Sequence, residues 1–141
     1  MMKFDIPGPP VGKERPRFRL NQGRVRTFTP EKTASWAEEV QAHASQAGVR
    51  QHYTEHPVAV HILIERAVPK SWSKKRKQAA LLSLYADAKP DVDNVSKAVL
   101  DALNHVAWKD DSQVARLSVE RIYSERDNTT VEIKKLKKEI G

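Results

Sequence analysis

One amphipathic helix constrains the fold of this chain more than any other feature of its sequence. Between residues 94 and 106, apolar side chains recur at i, i+3, i+4, i+7, i+8 and i+11, the spacing of a single helical face. A helix of this kind has to cover a second layer of structure with that face. Residues 57–66, with the sequence PVAVHILIER, are β-branched and apolar on both faces, which predicts a central β-strand.

Shorter patterns predict the remaining strands. Residues 3–6 form a candidate strand, and RFRL and RVRTF around NQG are typical of a hairpin. QVARLSVERIYSE and TVEIKKL are two further strand candidates, joined through the turn RDNT. The expected fold is therefore α+β, a mostly antiparallel or mixed small sheet with helices packed on one face, in one domain over residues 1–141.

Capping residues predict where the other helices begin and end. Thr29 as N-cap and Pro30 at the first helical position predict a helix that runs to about residue 47 and stops at Gly48. After the basic loop, Ser71 or Ser73 is expected to cap a short helix.

The charge balance favours a polyanionic partner. Lysine and arginine number 25 against 18 aspartate and glutamate, a formal net charge of +7, and nucleic acid is the commonest such partner. The chain has no cysteine, which excludes disulfides and cysteine-ligated zinc or iron–sulfur sites. It has no signal-peptide pattern and no run of the ~18 apolar residues that a membrane span needs. We expect a soluble protein of the cytoplasm, with no membrane partner.

Against this basic background, the stretch KPDVDNVSKAVLDALN gathers carboxylates at a helix start. In an extended segment, Asp91 and Asp93 would project to one face with their Cα atoms ~6.6 Å apart. Two such carboxylates can bind a hard divalent cation, and Mg²⁺ assists phosphodiester cleavage in many sites of this composition. Lys97 follows one turn into the helix, where its ammonium could stabilise a phosphate in the transition state.

A second acidic pair, Asp110 and Asp111, lies in the loop after this helix. The helix runs about 20 Å away from Asp91 and Asp93. The strand that follows could return Asp111 toward the first pair, and a three-carboxylate site would result.

Ordinary explanations compete with a metal site. Asp93 or Asn94 as N-cap and a Lys97–Asp101 pair would all be common helix chemistry. An EF-hand counted from Asp91 fails, because its sixth and twelfth positions are serine and alanine. DVDNV matches the D-x-D-x-[TV] pattern of haloacid-dehalogenase phosphatases, but YADAKP replaces the buried strand that should precede it.

Two longer strings carry a family resemblance. DVDNVSKAVLDALN followed by WKDDSQV is similar to the pattern D-x-D-N-x-x-K-x-x-x-D-A-L and, after a short gap, D-D-x-x-V. PGPPVGKERPRFR is similar to a proline-containing strand end followed by G-x-x-R-P-R. Both patterns are those of the RusA family of Holliday-junction resolvases, and the resemblance extends from about residue 3 to 135.

The resemblance implies a dimeric, Mg²⁺-dependent, structure-selective endonuclease in which Mn²⁺ may replace Mg²⁺. By motif position, Asp91, Asp93 and Asp111 match the metal-binding acids and Lys97 the catalytic lysine, with Asp110 an alternative ligand. One departure is that the basic cluster KSWSKKRK lies upstream of the first aspartate, with an added helical stretch between them.

Two basic segments are candidates for phosphate contacts, which give salt-dependent affinity without sequence preference. The residues expected to bind DNA are Lys13, Arg15, Arg17, Arg19, Lys70, Lys74, Lys75 and Arg76. Phe18, Phe28 and Trp72 lie among these cations and could stack at an unpaired branch point, although core packing is the commoner role for each phenylalanine.

The sequence thus predicts a homodimeric nuclease that resolves four-way DNA junctions by paired symmetric nicks. Two alternatives stay open: a branched-DNA binding module whose acids only cap a helix, and a metal-dependent nuclease without junction preference. We expect the protein to work at the nucleoid in the cytoplasm, with a phage or prophage gene as its origin.

Overall fold

Four long strands form the main sheet of the computed structural model, which describes residues 1–13, 17–21, 23–28, 31–82 and 85–137, with 17–21 and 24–28 described by their backbone. In chain order the elements are β1 (Met2–Pro7), β2 (Arg17–Asn21), β3 (Arg24–Phe28), α1 (Glu31–Gln46), β4 (Val58–Ala67), α2 (Lys74–Leu81), α3 (Val92–Leu103), β5 (Val114–Ser124) and β6 (Asn128–Lys135). A 3-10 turn at Asp111–Gln113 precedes β5.

The main sheet is mixed, with strand order β1-β6-β4-β5. The pairs β1–β6 and β4–β6 are antiparallel, whereas β4 and β5 are parallel. A parallel pair needs a long crossover, and α2 and α3 lie in it. The strands β2 and β3 form a separate antiparallel hairpin. The predicted α+β fold and the central position of the strand at 57–66 are confirmed.

One face of the sheet carries the core. Alternate β4 side chains, from Val58 to Ile64, are buried there, while the positions between them are half-buried. The helices α1 and α3 cover this face with apolar side chains, namely Trp36, Val40 and Ala44 from α1 and Val95, Val99, Ala102 and Leu103 from α3. The burial of these α3 residues confirms the apolar face predicted from their spacing.

The bounds of α3 differ from the predicted 94–106. The helix begins at Val92, with Asp91 as its N-cap, so the prediction of Asp93 or Asn94 as N-cap is wrong. Asp91 has extended backbone angles, φ −59° and ψ 143°, and is a favourable capping residue, so the helix starts at the next residue. The helix ends at Leu103 because Asn104 is extended and His105 has a φ of 64°.

Two predicted helix boundaries are confirmed elsewhere. The Ser73 hydroxyl accepts a hydrogen bond from the Arg76 N–H at 3.2 Å and so caps α2. Gly48 has a φ of +91° and donates its N–H to the Ser45 carbonyl, which ends α1 as expected. The predicted cap at Thr29 and Pro30 lies outside the described residues.

Candidate functional site

The first two acids lie at the start of α3. Asp91 is the N-cap residue, with φ −59° and ψ 143°, and Asp93 lies in the first turn. Both residues are exposed, and neither carboxylate takes part in a hydrogen bond or salt bridge with a described residue. Asp91 is extended, but Asp93 is already helical. The two acids therefore do not share one extended segment, as the sequence suggested. The positive end of the helix dipole favours both negative charges here.

Arg121 of β5 holds the segment that leads to this helix start. Its Nε donates to the Ala86 carbonyl at 2.9 Å and its Nη1 donates to the Pro90 carbonyl at 2.6 Å. The Ala86 N–H donates in turn to the Arg121 carbonyl at 3.0 Å. One guanidinium therefore fixes two points of the loop before Asp91. This contact could not be predicted from sequence patterns, because Arg121 comes 31 residues after Pro90.

The N-terminal segment contacts the other side of the helix start. A Cβ on Gly12 would lie 3.0 Å from the Pro90 Cβ and 3.1 Å from the Asn94 Cβ, so a larger residue would fit here only if Pro90 and Asn94 shifted by a few tenths of an ångström. The Lys13 N–H donates to the Asn94 carbonyl at 3.0 Å. The Lys13 ammonium forms a salt bridge with Asp101, and this pairing replaces the Lys97–Asp101 pair expected from the sequence.

A cleft of about 550 Å³ lies between these segments. It is bordered by Asp91 and by a set of cationic and neutral residues, comprising Pro9, Pro10, Val11, Gly12, Lys13, Lys32, Arg66, Lys89, Pro90 and Asn94. Arg66 is held by Asp127, whose Oδ1 lies 3.2 Å from its Nη1. Among the described residues the cleft therefore combines four cations with one acid, and Lys32 and Lys89 are the two without an acidic partner there, which is a suitable environment for a phosphate.

Three of these cations were missed by sequence analysis. Lys32 lies in the first turn of α1, Arg66 near the end of β4, and Lys89 directly before Pro90. Only the position of Lys89, two residues before Asp91, could have indicated a role from the sequence alone.

Lys97 projects from the exposed side of α3, four residues after Asp93. Residues separated by four positions are neighbours on a helix surface, with Cβ atoms about 5–6 Å apart. No carboxylate among the described residues forms a salt bridge with Lys97, since Asp101 pairs with Lys13. Its ammonium is thus available beside Asp93, as the sequence predicted from their spacing.

The second acidic pair lies in a different setting. The Asp111 carboxylate accepts a hydrogen bond from the indole Nε1 of Trp108 at 2.9 Å, and Trp108 is fully buried. Asp110 accepts from the Ser112 N–H at 3.0 Å, and hydrogen bonds from Ser112 lower the pKa of Asp110 below its ordinary value. Trp108 belongs to the core.

The two acidic pairs lie at opposite ends of α3 within one chain. Val114, at the start of β5, pairs with Val58, whereas Arg121 lies beside the start of α3. Seven strand residues separate these points, a distance of about 23 Å. Among the described residues, no three histidine, aspartate or glutamate side chains lie close enough to share a metal ion. A single chain therefore does not bring Asp111 to Asp91 and Asp93.

The predicted DNA-binding residues are distributed over several elements. Arg15 lies outside the described residues, and Arg17 and Arg19 belong to β2, which is described by its backbone. Lys70, Lys74 and Lys75 are exposed around the start of α2.

Trp72 is held by its neighbours and is not free to stack on a base. Arg76 lies over its ring, 3.7 Å from the ring centroid, and Tyr123 contacts it edge-on with centroids 5.1 Å apart. Trp72 and Arg76 therefore attach α2 to β5.

Together the fold and the cleft define a class of protein. A small basic α+β domain presents exposed carboxylates, a lysine and several cations at one helix start, which is the composition of a nuclease site. None of the described helices is both long and apolar enough to cross a lipid bilayer.

Comparison with known proteins identifies the family. The protein-family model described as Endodeoxyribonuclease RusA matches residues 7–134 of the chain. The chain is also 39% identical over 138 residues to the Uncharacterized protein YqaN of Bacillus subtilis (strain 168), and the match covers 96% of each chain. The chain belongs to the RusA family of endodeoxyribonucleases, as its sequence motifs predicted.

Proposed function

We propose that this protein is a Mg²⁺-dependent Holliday-junction resolvase that acts as a homodimer. The observation that carries the proposal is the exposed carboxylate pair Asp91 and Asp93 at the start of α3, which has no partner among the described residues and is bordered by a cationic cleft, in a chain of the RusA family. Its substrate is a four-way DNA junction, which it cuts by paired symmetric nicks. A protein with this substrate would work at the nucleoid in the cytoplasm. We propose a phage or prophage gene as its origin.

The chemistry of the donor set fits Mg²⁺. Asp91 and Asp93 offer exposed carboxylate oxygens, which this ion prefers, and no described cation neutralises them. These two residues would hold the ion, with Mn²⁺ able to replace it. When bound, Mg²⁺ would supply Lewis-acid stabilisation of the charge that develops on the phosphodiester.

The residues of the chain supply the remaining functions. Lys97 lies on the same side of α3 as Asp93 and stabilises the negative charge of the phosphate in the transition state. The cations of the cleft, Lys32 and Lys89 in particular, bind the phosphates on either side of the one that is cut and so hold the strand in place.

The position of Asp111 supports a dimer. Within one chain it precedes β5, whose first residue, Val114, lies about 23 Å along the strand from Arg121, the residue that contacts the segment before α3. Two copies related by a two-fold axis and running in opposite directions would place the Asp111 of each beside the Asp91 and Asp93 of the other. We infer that each complete site uses acids from both copies, with Asp110 as the alternative third acid. Two such sites on one dimer suit the two-fold symmetry of a four-way junction.

The test is cutting of a synthetic four-way junction in Mg²⁺, with EDTA as the metal-free control. Asp93→Asn should abolish cutting while the variant still binds the junction, because the substitution removes a charge from an exposed side chain. Cutting that survives Asp93→Asn would overturn the proposal. Tight binding without cutting by the unaltered protein would support a binding module instead, and equal cutting of flaps and plain duplexes would support a nuclease without junction preference.

A further inference from the structure

A strongly basic helix ends in exposed apolar side chains on this protein. Leu81 is 40% exposed, Leu82 is 80% exposed and Tyr85 is 74% exposed, although large apolar side chains usually find cover. We call Leu81, Leu82 and Tyr85 the α2 tip. The sequence that forms α2 itself, KKRKQAAL, has four cations and no acid.

The charge of α2 indicates what covers the tip. If a second copy covered it about a two-fold axis, the cations of one α2 would face those of the other, and like charges at close range repel. DNA has the opposite charge, so the lysines of the same helix, Lys74, Lys75 and Lys77, favour a nucleic-acid partner. Apolar and aromatic side chains among such cations are suited to contact the faces of unpaired bases.

The tip is connected rigidly to the candidate active site. Tyr85 forms a bridge with Ile122 of β5. One Arg121 guanidinium then binds the carbonyls of Ala86 and Pro90, which therefore lie within roughly 8 Å of each other. That distance corresponds to two or three stacked nucleotides at about 3.4 Å each. A base in contact with Tyr85 would thus lie close to the phosphate held beside Asp91.

Tyr85 is better placed for this contact than the tryptophan that the sequence suggested. Trp72 is already occupied by Arg76 on its face and by Tyr123 at its edge. The Tyr85 ring has most of its surface in solvent and is held at its backbone by β5.

We propose that the Tyr85 ring stacks on an unpaired base at the branch point of the DNA, with Leu82 contacting the same opening and Lys74, Lys75 and Lys77 binding the adjoining phosphates. The proposal rests on the proposed function, since it takes branched DNA as the substrate. It assigns recognition of the branch to α2, while the α3 start performs the cutting.

The experiment measures binding without cutting. In an Asp93→Asn background, affinities for a four-way junction and for a plain duplex of equal length are compared, with 2-aminopurine placed either at the crossover or in the middle of an arm. Tyr85→Ala should weaken junction binding about ten-fold, leave duplex binding unchanged, and remove the fluorescence change at the crossover. Tyr85→Phe keeps the ring and should behave as the parent. Lys74→Ala with Lys75→Ala should weaken both DNAs alike and reduce the salt dependence of binding.

Three results would overturn the inference. Tyr85→Ala could weaken duplex and junction binding equally, leave both unchanged, or convert a dimer to a monomer in sedimentation, which would show that a second copy covers the tip. Circular dichroism of each variant checks that it is folded. If the unaltered protein binds junctions but does not cut them, the proposed function fails, while the selective effect of Tyr85→Ala would still support the role of the tip.

Discussion

Mixing two inactive variants tests whether the acidic site is shared between copies. Asp93→Asn removes an acid from the start of α3, and Asp111→Asn removes one from the turn before β5, at the far end of α3. Each variant alone should fail to cut, because both of its sites lack one acid. In a dimer that contains one copy of each variant, one site lacks both Asp93 and Asp111. The other site keeps Asp91, Asp93 and Asp111.

The arrangement of the shared sites determines how much nicking activity the mixture should regain. If subunits exchange freely, about half of the dimers contain both variants, and each has one complete site of two. The mixture should therefore nick junctions at about one quarter of the wild-type rate per site. The products should be singly nicked junctions, because no mixed dimer has two complete sites to make the paired cuts.

The assay is nicking of a supercoiled cruciform plasmid, which separates nicked circles from linear products on a gel. The two variants are mixed under conditions that allow exchange, and each is mixed with itself as the matched control. If the mixture stays as inactive as its components while native mass spectrometry shows mixed dimers, each site is built within one chain, and our reasoning from the position of Asp111 is refuted. Restored linear product would refute it as well.

Three further predictions concern stability. Asp111→Ala leaves the indole N–H of buried Trp108 unpaired and should cost about 1–3 kcal/mol in urea unfolding, whereas Asp111→Asn keeps an acceptor and should cost clearly less. Gly12→Ala places a Cβ at 3.0 Å from its nearest neighbour and should cost about 1–3 kcal/mol, so an unchanged melting temperature would contradict the close approach. The Thr130 hydroxyl, 2.6 Å from the Asp5 carboxylate, lowers the pKa of Asp5, and the stability it supplies is present above pH ~4 and lost as the pH falls through the lowered pKa. Thr130→Val should therefore be less stable than the parent at pH ~7, with the difference shrinking by pH ~2.5, and a pH-independent difference would contradict this.

The sequence was sufficient to predict most of the fold. The periodicity of α3 and the apolar run of β4 reflect burial that depends on the near neighbours of each residue, so both elements could be recognised locally. The first turn of α3 was placed two residues too late, because Asp91, Asp93 and Asn94 are all good capping residues and the sequence alone does not choose among them.

Contacts between distant parts of the chain could not be predicted in this way. Lys13 and Asp101 are 88 residues apart, and nothing in either segment indicates the other. Asp111 was expected beside Asp91 because a strand that returns along a helix can end near its start. The acid, however, precedes that strand, so it stays at the far end.

The same limit applies to Trp72 and Tyr85. Both are aromatic residues near lysines, and only the folded chain shows that β5 occupies one and leaves the other exposed.

The contact of Gly12 and Lys13 with α3 has a consequence for how this protein can change. Only three residues separate Lys13 from the hairpin strand that begins at Arg17, so their Cα atoms lie at most about 14 Å apart. The basic hairpin therefore begins close to the acids, while its two strands form a sheet separate from the main one. Its length and sequence can vary without moving Asp91 or Asp93. The hairpin is thus an exchangeable module on a constant chemical centre, and variation in DNA preference among relatives should concentrate there.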